Sequence, residues 1–97
     1  MQMADKDNSI FIGGKPFMNY VTAVVIQFTT LEVKEVIIKA RGKFISRGVD
    51  VAEVAVKRFL KDQIVVKDIK IDSEEFKSQE GKNIRVSTID ITLTKKK

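Results

Sequence analysis

The 97-residue sequence contains no cysteine and no histidine. Without cysteine the chain has no disulfides and no thiolate metal ligands, which fits a protein of the cell interior. Without histidine it lacks the commonest general base, and no glycine-rich phosphate loop or dinucleotide fingerprint is present. Its carboxylates are scattered beside lysines, as on a solvated surface. We therefore predict that the protein is not an enzyme and uses neither a metal nor a cofactor.

Long apolar runs are also missing. No run approaches the roughly 20 residues that span a bilayer. The polar, acidic start, MQMADKDNS, does not resemble a secretory signal. The length fits one domain with a modest core. We expect a cytoplasmic protein without membrane contact, with a flexible arm over residues 1–8 and a single domain over residues 9–97.

Positive charge is in excess, with 18 Lys and Arg against 13 Asp and Glu. Such an excess favours a polyanionic partner only weakly, because a small protein can simply be soluble and basic. Its distribution is more informative. In the segment EVIIKARGKFISRGVD, residues 35–50, no acid lies among the four basic residues Lys39, Arg41, Lys43 and Arg47. A solvated basic loop would explain this segment, and so would a bound phosphate backbone.

Hydrophobic periodicity predicts six elements in the order β-α-β-α-β-β. The predicted strands are 10–12, 36–40, 64–76 and 83–93, and the predicted helices are 17–30 and 45–60. This order is typical of a two-layer α/β sandwich, with two helices on one face of a four-stranded sheet. The second helix carries two apolar stripes, whereas one domain of this size needs only one. The other stripe suggests a partner subunit.

The last two strands are predicted to form a hairpin. Their connection, KSQEGK, contains Gly81, which can take the positive φ that a tight turn needs. In the final strand the apolar alternation changes phase at Ser87–Thr88, which predicts a bulge or a sharp twist there. The base of the hairpin would belong to the sheet, and its outer half would project as an arm of roughly 17–20 Å.

Two further segments carry candidate binding residues. In IGGKP, Lys15 lies between a strand and a helix N-terminus, where free N–H groups and the helix dipole attract anions. A tight turn with an exposed lysine fits these residues equally well. Asn19 and Tyr20, close to the start of the same helix, would add hydrogen bonds or simply cap and pack. The arm adds Lys82 and Arg85, whose charges are balanced by neighbouring acids.

Taken together, several stretches resemble the Alba family of small archaeal chromatin proteins: IGGKPFMNYV, VIIKARGKFISRGVDVAEV, RFL and RVSTIDI. The similarity runs from about Ile10 to the end without large gaps. The resemblance implies a fold similar to the C-terminal domain of a bacterial translation initiation factor. It also implies a homodimer that binds duplex DNA largely without regard to sequence, with its loops on the backbone and its arms along the minor groove. Many family members also bind RNA.

The resemblance assigns roles to individual residues. The nucleic-acid contacts that it implies are Lys15, Arg41, Lys43, Arg47, Lys82 and Arg85, to which the sequence pattern adds Lys39 and Asn19. Phe59 matches an aromatic position through which dimers touch side by side on DNA. The family often has two lysines before the proline, and the first is a site of regulatory acetylation. Here that position is Gly14, which leaves Lys15 as the candidate acetylation site.

We therefore expect a chromatin protein that binds double-stranded DNA as a dimer, coats and compacts chromosomal DNA in the cytoplasm, and forms cooperative contacts between dimers. One alternative is an RNA-binding role, as a ribonucleoprotein subunit or an RNA chaperone. A second is a protein-interaction module whose charge only keeps it soluble. The sequence also leaves open whether the dimer is a homodimer or a heterodimer with a paralogous subunit.

Overall fold

The computed structural model describes residues 8–96, so the predicted flexible arm lies outside the described residues except for Asn8. The strands and helices are β1 (Ser9–Phe11), α1 (Phe17–Thr29), β2 (Glu35–Arg41), α2 (Ile45–Val54), β3 (Ile64–Lys77) and β4 (Asn83–Lys95). A 3-10 turn, Gly42–Phe44, leads into α2, and a π-helical turn, Ala55–Phe59, continues it. The predicted element order and the two-layer α/β fold are confirmed.

The sheet has the strand order β1-β2-β4-β3. β1 and β2 are parallel, and α1 supplies the crossover connection that a parallel pair requires. β4 runs antiparallel to both of its neighbours and is therefore the strand that joins the β1–β2 pair to β3.

The core lies between the helices and one face of the sheet. In β2, burial alternates along the strand, and Val36, Ile38 and Ala40 are the buried residues. They belong to the same core as Val21 and Val24 of α1, whose side chains are fully buried. Fully burying an aliphatic side chain of this size contributes about 1.5–3 kcal/mol. The opposite face, called the open face below, is left uncovered by the two helices.

A glycine lets α2 approach β2 closely. A Cβ atom at Gly48 would lie 3.0 Å from the Cβ of Ala40 and 3.7 Å from side-chain atoms of both Ile12 and Ile38. Since no side chain separates the helix from the strand at this point, Val51 of the same helix is fully buried. The contact between Gly48 and Ala40 therefore fixes where α2 begins, and with it the turn that precedes α2.

The second helical segment ends where the sequence predicts, but its last turn is wider than an α-helix. Regular α-helix stops at Val54, and the next turn closes with a 2.9 Å hydrogen bond from the N–H of Leu60 to the carbonyl oxygen of Ala55. This i to i+5 bond is that of a π-helix. Phe59 is left 49% exposed, while Leu60 is buried.

The hairpin of β3 and β4 has the predicted turn. Gly81 adopts a φ of 84°, a left-handed conformation that favours glycine. The backbone N–H of Gly81 donates to the carbonyl oxygen of Ser78 at 2.9 Å, and that of Ser78 donates to Lys82 at 2.8 Å. Nearly all of β3 beyond Ile64 is exposed, and the long axis of the molecule is 48 Å, against 29 and 25 Å for the others. The outer half of the hairpin therefore projects as an arm.

The predicted bulge at Ser87–Thr88 is wrong. The pairing register is continuous there, and the register shift of this strand pair lies in β3, between Val66 and Asp68. The residue between them, Lys67, forms an ion pair with Glu35 of β2. The hydrogen bond to Glu35 and its negative charge raise the pKa of Lys67.

The apolar pattern of β4 changes phase because different parts of the strand are covered on different faces. Near its end the helices cover one face, where Ile89 and Ile91 are buried. Beyond the helices, the half-buried side chains, Ile84 and Val86, occupy the other face. A Cβ at Gly42 would lie 3.5 Å from Val86, so this residue packs beside the turn that follows β2. The apolar pattern of β4 therefore changes phase because a different face of the strand is covered beyond the helices. The backbone pairing of β4 does not slip there.

Candidate nucleic-acid interface

The loop between β1 and α1 is held by two side chains. The hydroxyl oxygen of Tyr20 accepts hydrogen bonds from the backbone N–H groups of Gly13 and Lys15, at 2.9 and 3.0 Å. Nη1 of Arg47 donates to the carbonyl oxygens of the same two residues, at 3.3 and 2.9 Å. Because Arg47 lies in the first turn of α2, these bonds join the starts of the two helices. The side chain of Lys15 remains exposed.

Arg47 is therefore engaged by the protein itself. A positive charge near a helix N-terminus is unfavourable to that helix, and the two carbonyl oxygens offset this effect locally. With its guanidinium on the loop, Arg47 positions Lys15. The phosphate contact predicted for Arg47 remains a prediction.

Lys43 lies in the turn before α2, with its Nζ 5.4 Å from the centre of the Phe44 ring. Together with Arg47 and Asp50 it lines an open hollow of about 560 Å³. Among the described residues, no carboxylate pairs with Lys43 or Lys15. Lys15, Lys43, Arg47 and the amino ends of α1 and α2 are called the helix-end patch below. The dipoles of both helices add partial positive charge to it.

Lys39 and Arg41 belong to a different surface. Strand alternation places both on the open face, where Nζ of Lys39 lies 5.8 Å from the centre of the Phe11 ring. Nη2 of Arg41 lies 2.9 Å from Oε1 of Glu74 in the arm. Both basic residues line a groove of about 420 Å³. The acid-free segment is therefore divided, because its strand residues face the groove and its later residues face the helix-end patch.

Of the other candidate residues, Asn19 adjoins the helix-end patch, and Lys82, Arg85 and Phe59 lie apart from both surfaces. Lys82 is exposed in the hairpin turn, and Nε of Arg85 lies 3.9 Å from Oε2 of Glu75 within the arm. Asn19 is exposed in the first turn of α1, and Phe59 is exposed on the π-helical turn. Exposure leaves Lys15 accessible as the candidate acetylation site, which stays a prediction.

The sequence left one residue that shapes these surfaces between two roles and missed another. For Tyr20 it predicted either hydrogen bonding or simple packing, and the hydroxyl holds the loop by hydrogen bonds. Glu74 neutralises Arg41 from a distant part of the chain. Only the strand register could have indicated this pair, because Arg41 lies opposite Thr88 and Thr88 lies opposite Asp72, two residues before Glu74.

Two negative observations apply to residues 8–96. Their Asp and Glu side chains form no group of three or more that could hold a metal ion. Neither helix in this range is long and apolar enough to cross a membrane.

Comparison with known proteins agrees with this geometry. The family model described as Alba matches residues 8–73. The chain is 58% identical over 88 residues to the DNA/RNA-binding protein Alba of Nanoarchaeum equitans, covering 90% of this chain and 97% of the relative. It is 56% identical over 90 residues to the DNA/RNA-binding protein Alba 1 of Archaeoglobus fulgidus, covering 93% and 98%. The solved structure of Alba from Thermoplasma volcanium, 47% identical, matches with a TM-score of 0.81 over 90% of this chain and 99% of that chain. The chain therefore belongs to the Alba family.

Proposed function

We propose that the protein binds double-stranded DNA without regard to sequence, through phosphate contacts, and that it coats and compacts chromosomal DNA. The helix-end patch carries this proposal. There, among the described residues, the amines of Lys15 and Lys43 have no carboxylate partner and lie beside the starts of two helices. Phosphate oxygens are the ligands that such a patch attracts. Two archaeal relatives are named DNA/RNA-binding proteins, which supports nucleic acid as the polyanion.

The arm extends this contact along the duplex. It carries Lys82 in its turn and Arg85 in β4, but Glu75 and Glu80 keep its net charge low. Because its net charge is low, a ribbon of this kind attracts phosphates only weakly. Its contacts with a DNA groove depend mainly on the shape of the groove. We therefore assign affinity mainly to the helix-end patch and placement on the groove to the arm.

The functional unit in this proposal is a dimer. Several apolar side chains are exposed in the described part of the chain, and two pairs of them lie close together in the sequence. Ile26 and Leu31, in and just after α1, are 44% and 57% exposed, and Ile69 and Ile71 of the edge strand β3 are 56% and 76% exposed. Exposed apolar surface of this kind marks contacts with other protein chains. Either pair would allow two subunits to join as a dimer, and the half-exposed Phe59 would then serve the contact between neighbouring dimers on DNA.

The proposal is tested by titrating the protein with duplex DNA and duplex RNA of matched sequence at several salt concentrations. Because phosphate contacts release counterions, log K for DNA should fall linearly with log salt. The slope of this line should be about −0.9 for each phosphate contact. Binding to DNA at least as tight as to RNA supports the chromatin function. A clear preference for RNA would make a ribonucleoprotein role primary. Binding to neither duplex at low salt would overturn the proposal and leave a protein-interaction module.

Glu74→Gln should strengthen duplex binding. The substitution removes the carboxylate that holds Arg41, so each subunit gains one guanidinium for phosphate. We expect about a 3- to 10-fold higher affinity at moderate salt. The slope of log K against log salt should also become steeper, by the equivalent of about one phosphate contact per subunit. Glu80→Gln is the matched control, because it removes the same charge from the arm without breaking an ion pair of the described residues. Equal gains from both variants would show that net charge, and not the release of Arg41, is responsible.

Phe59→Ala should weaken cooperative coating while leaving the dimer intact. Its ring is half-exposed on the π-helical turn, where the family resemblance implies a side-by-side contact between dimers. Losing an exposed ring from such a contact should lower the cooperativity parameter on long DNA by about 5- to 10-fold, equivalent to roughly 1 kcal/mol. Binding to a DNA that accommodates one dimer should not change. Analytical ultracentrifugation checks the dimer, and unchanged cooperativity would exclude this contact.

A further inference from the structure

The groove on the open face has features that the helix-end patch lacks. Phe11, at its border, is 69% exposed, although it lies in a strand whose neighbour Ile10 is buried. The groove has a volume of about 420 Å³, within the range of about 300–1,000 Å³ that is typical of ligand sites. An exposed aromatic ring beside a groove of this size provides a flat apolar surface next to polar side chains.

The strand register arranges these side chains in rows across the sheet. Phe11 lies opposite Lys39, Lys39 lies opposite Asp90, and Asp90 lies opposite Lys70. One row therefore runs across all four strands and begins with the aromatic ring. Since neighbouring strands are about 4.8 Å apart, Asp90 lies roughly 10 Å from Phe11 along this row. That separation is suited to a flat ring that covers Phe11 and directs its edge toward the carboxylate.

With Arg41 paired to Glu74, the charge of the groove argues against a duplex backbone as its ligand. Its lining contains three basic and three acidic side chains: Lys39, Arg41, Lys70, Asp72, Glu74 and Asp90. The charges cancel, whereas a surface that holds many phosphates needs an excess of positive charge. Carboxylates accept hydrogen bonds from the amino groups of bases, and aromatic rings stack on any base. The groove therefore matches a nucleobase with its flanking phosphates, and not a double helix.

We infer that the open face binds an unpaired nucleotide of single-stranded nucleic acid, whose base stacks on Phe11. Donor groups on the edge of the base reach Asp90 and Asp72. Lys39, which has no carboxylate partner among the described residues, neutralises an adjoining phosphate. Open four-stranded sheets with exposed aromatic rings bind single strands in this way. The inference extends the proposed function, since its ligand is also nucleic acid, but it uses another face of the molecule and another form of the polymer.

The test compares short single strands with a duplex of the same sequence, by fluorescence anisotropy at one salt concentration. Phe11→Leu keeps an apolar side chain but removes the stacking ring, and should weaken single-strand binding about 5- to 20-fold, the effect of roughly one stacked base. Phe11→Tyr should retain binding. Val49→Ala, which shortens an exposed apolar side chain of α2 outside the groove, is the control and should have no effect on single-strand binding. Duplex binding should be unchanged in all three variants.

A base analogue gives a second readout. A 2-aminopurine in the middle of the strand should lose fluorescence on binding to the unmodified protein, because stacking quenches it, and should stay bright with Phe11→Leu. Ribose and deoxyribose versions of the strand show whether RNA or DNA is preferred at this site.

Several outcomes would overturn the inference. If Phe11→Leu weakens single-strand and duplex binding equally, the open face is part of the duplex interface. If it weakens neither, or if the unmodified protein binds the duplex but not the single strand, the inference fails while the proposed function stands. Failure to bind either form would overturn both.

Discussion

Neutralising the helix-end patch with Lys15→Gln and Lys43→Gln together should weaken duplex DNA binding by about 100- to 1,000-fold at 0.15 M salt. These two lysines are chosen because their amines have no carboxylate partner in the described chain, whereas Arg41 is paired and Arg47 holds the loop. In a dimer the double substitution removes four phosphate contacts, two from each subunit. The slope of log K against log salt should therefore become shallower by about 3.6, which is 0.9 for each of the four contacts.

A matched control comes from the other end of the domain. Lys34→Gln and Lys61→Gln also remove two positive charges from each subunit, and both residues are exposed. They lie where β2 begins and α2 has ended. There the N–H groups of Lys95, the last residue of β4, and of Lys96 donate to the carbonyl oxygens of Lys34 and Gln63. This variant should keep nearly the full slope, measured by the same titration. Equal losses in the two double variants would show that binding depends on net charge and not on the helix-end patch.

Replacing Gly48 by valine should destabilise the folded protein by about 2–3 kcal/mol. Its Cβ would approach the Cβ of Ala40 to 3.0 Å, and two further methyl groups would meet Ile12 and Ile38. Because Ala40 lies in a central strand, the only way to relieve these contacts is to move α2 away from the sheet. The slightly better helix propensity of valine does not offset overpacking of this size. This loss is a large part of the roughly 5–15 kcal/mol that stabilises a typical domain.

Urea denaturation at one fixed protein concentration measures the effect, since a dimer would make stability depend on concentration. Gly14→Val is the control, because a Cβ at that position has no atom within 4 Å. We expect its free energy of unfolding to change by less than about 0.5 kcal/mol. If Gly48→Val is equally harmless, α2 does not pack against β2 as closely as described.

The fold could be predicted from the sequence because its signals are local. Apolar spacing identifies the helices and strands, and Gly81 identifies the hairpin turn. The bulge was misplaced because the same change of phase in β4 arises from either a slipped backbone or a change of covered face. The sequence pattern does not distinguish these two causes. Only the three-dimensional arrangement shows that the helices cover the base of the hairpin and not its outer half.

The candidate site could be predicted only in part. The basic character of residues 39–47 is visible in the sequence, but its division between two surfaces is not. Strand geometry turns Lys39 and Arg41 toward the open face, and the turn before α2 carries Lys43 to the helix-end patch. The partners of Arg41 and Arg47 lie far away in the chain. Periodicity carries no information on such long-range contacts.

The central position of β4 makes folding depend on the order of synthesis. β2 and β3 both pair with β4, and Thr94, for example, lies opposite Glu35 on one side and Val65 on the other. Until residues 83–95 have left the ribosome, the β1–β2 pair and β3 have no strand to join them, and the two helices have only part of a sheet to cover. The apolar side of β2 then stays open to chaperones or to other nascent chains. The domain therefore completes its fold in one late step, which the distant pairing of β2 with β4 makes slow.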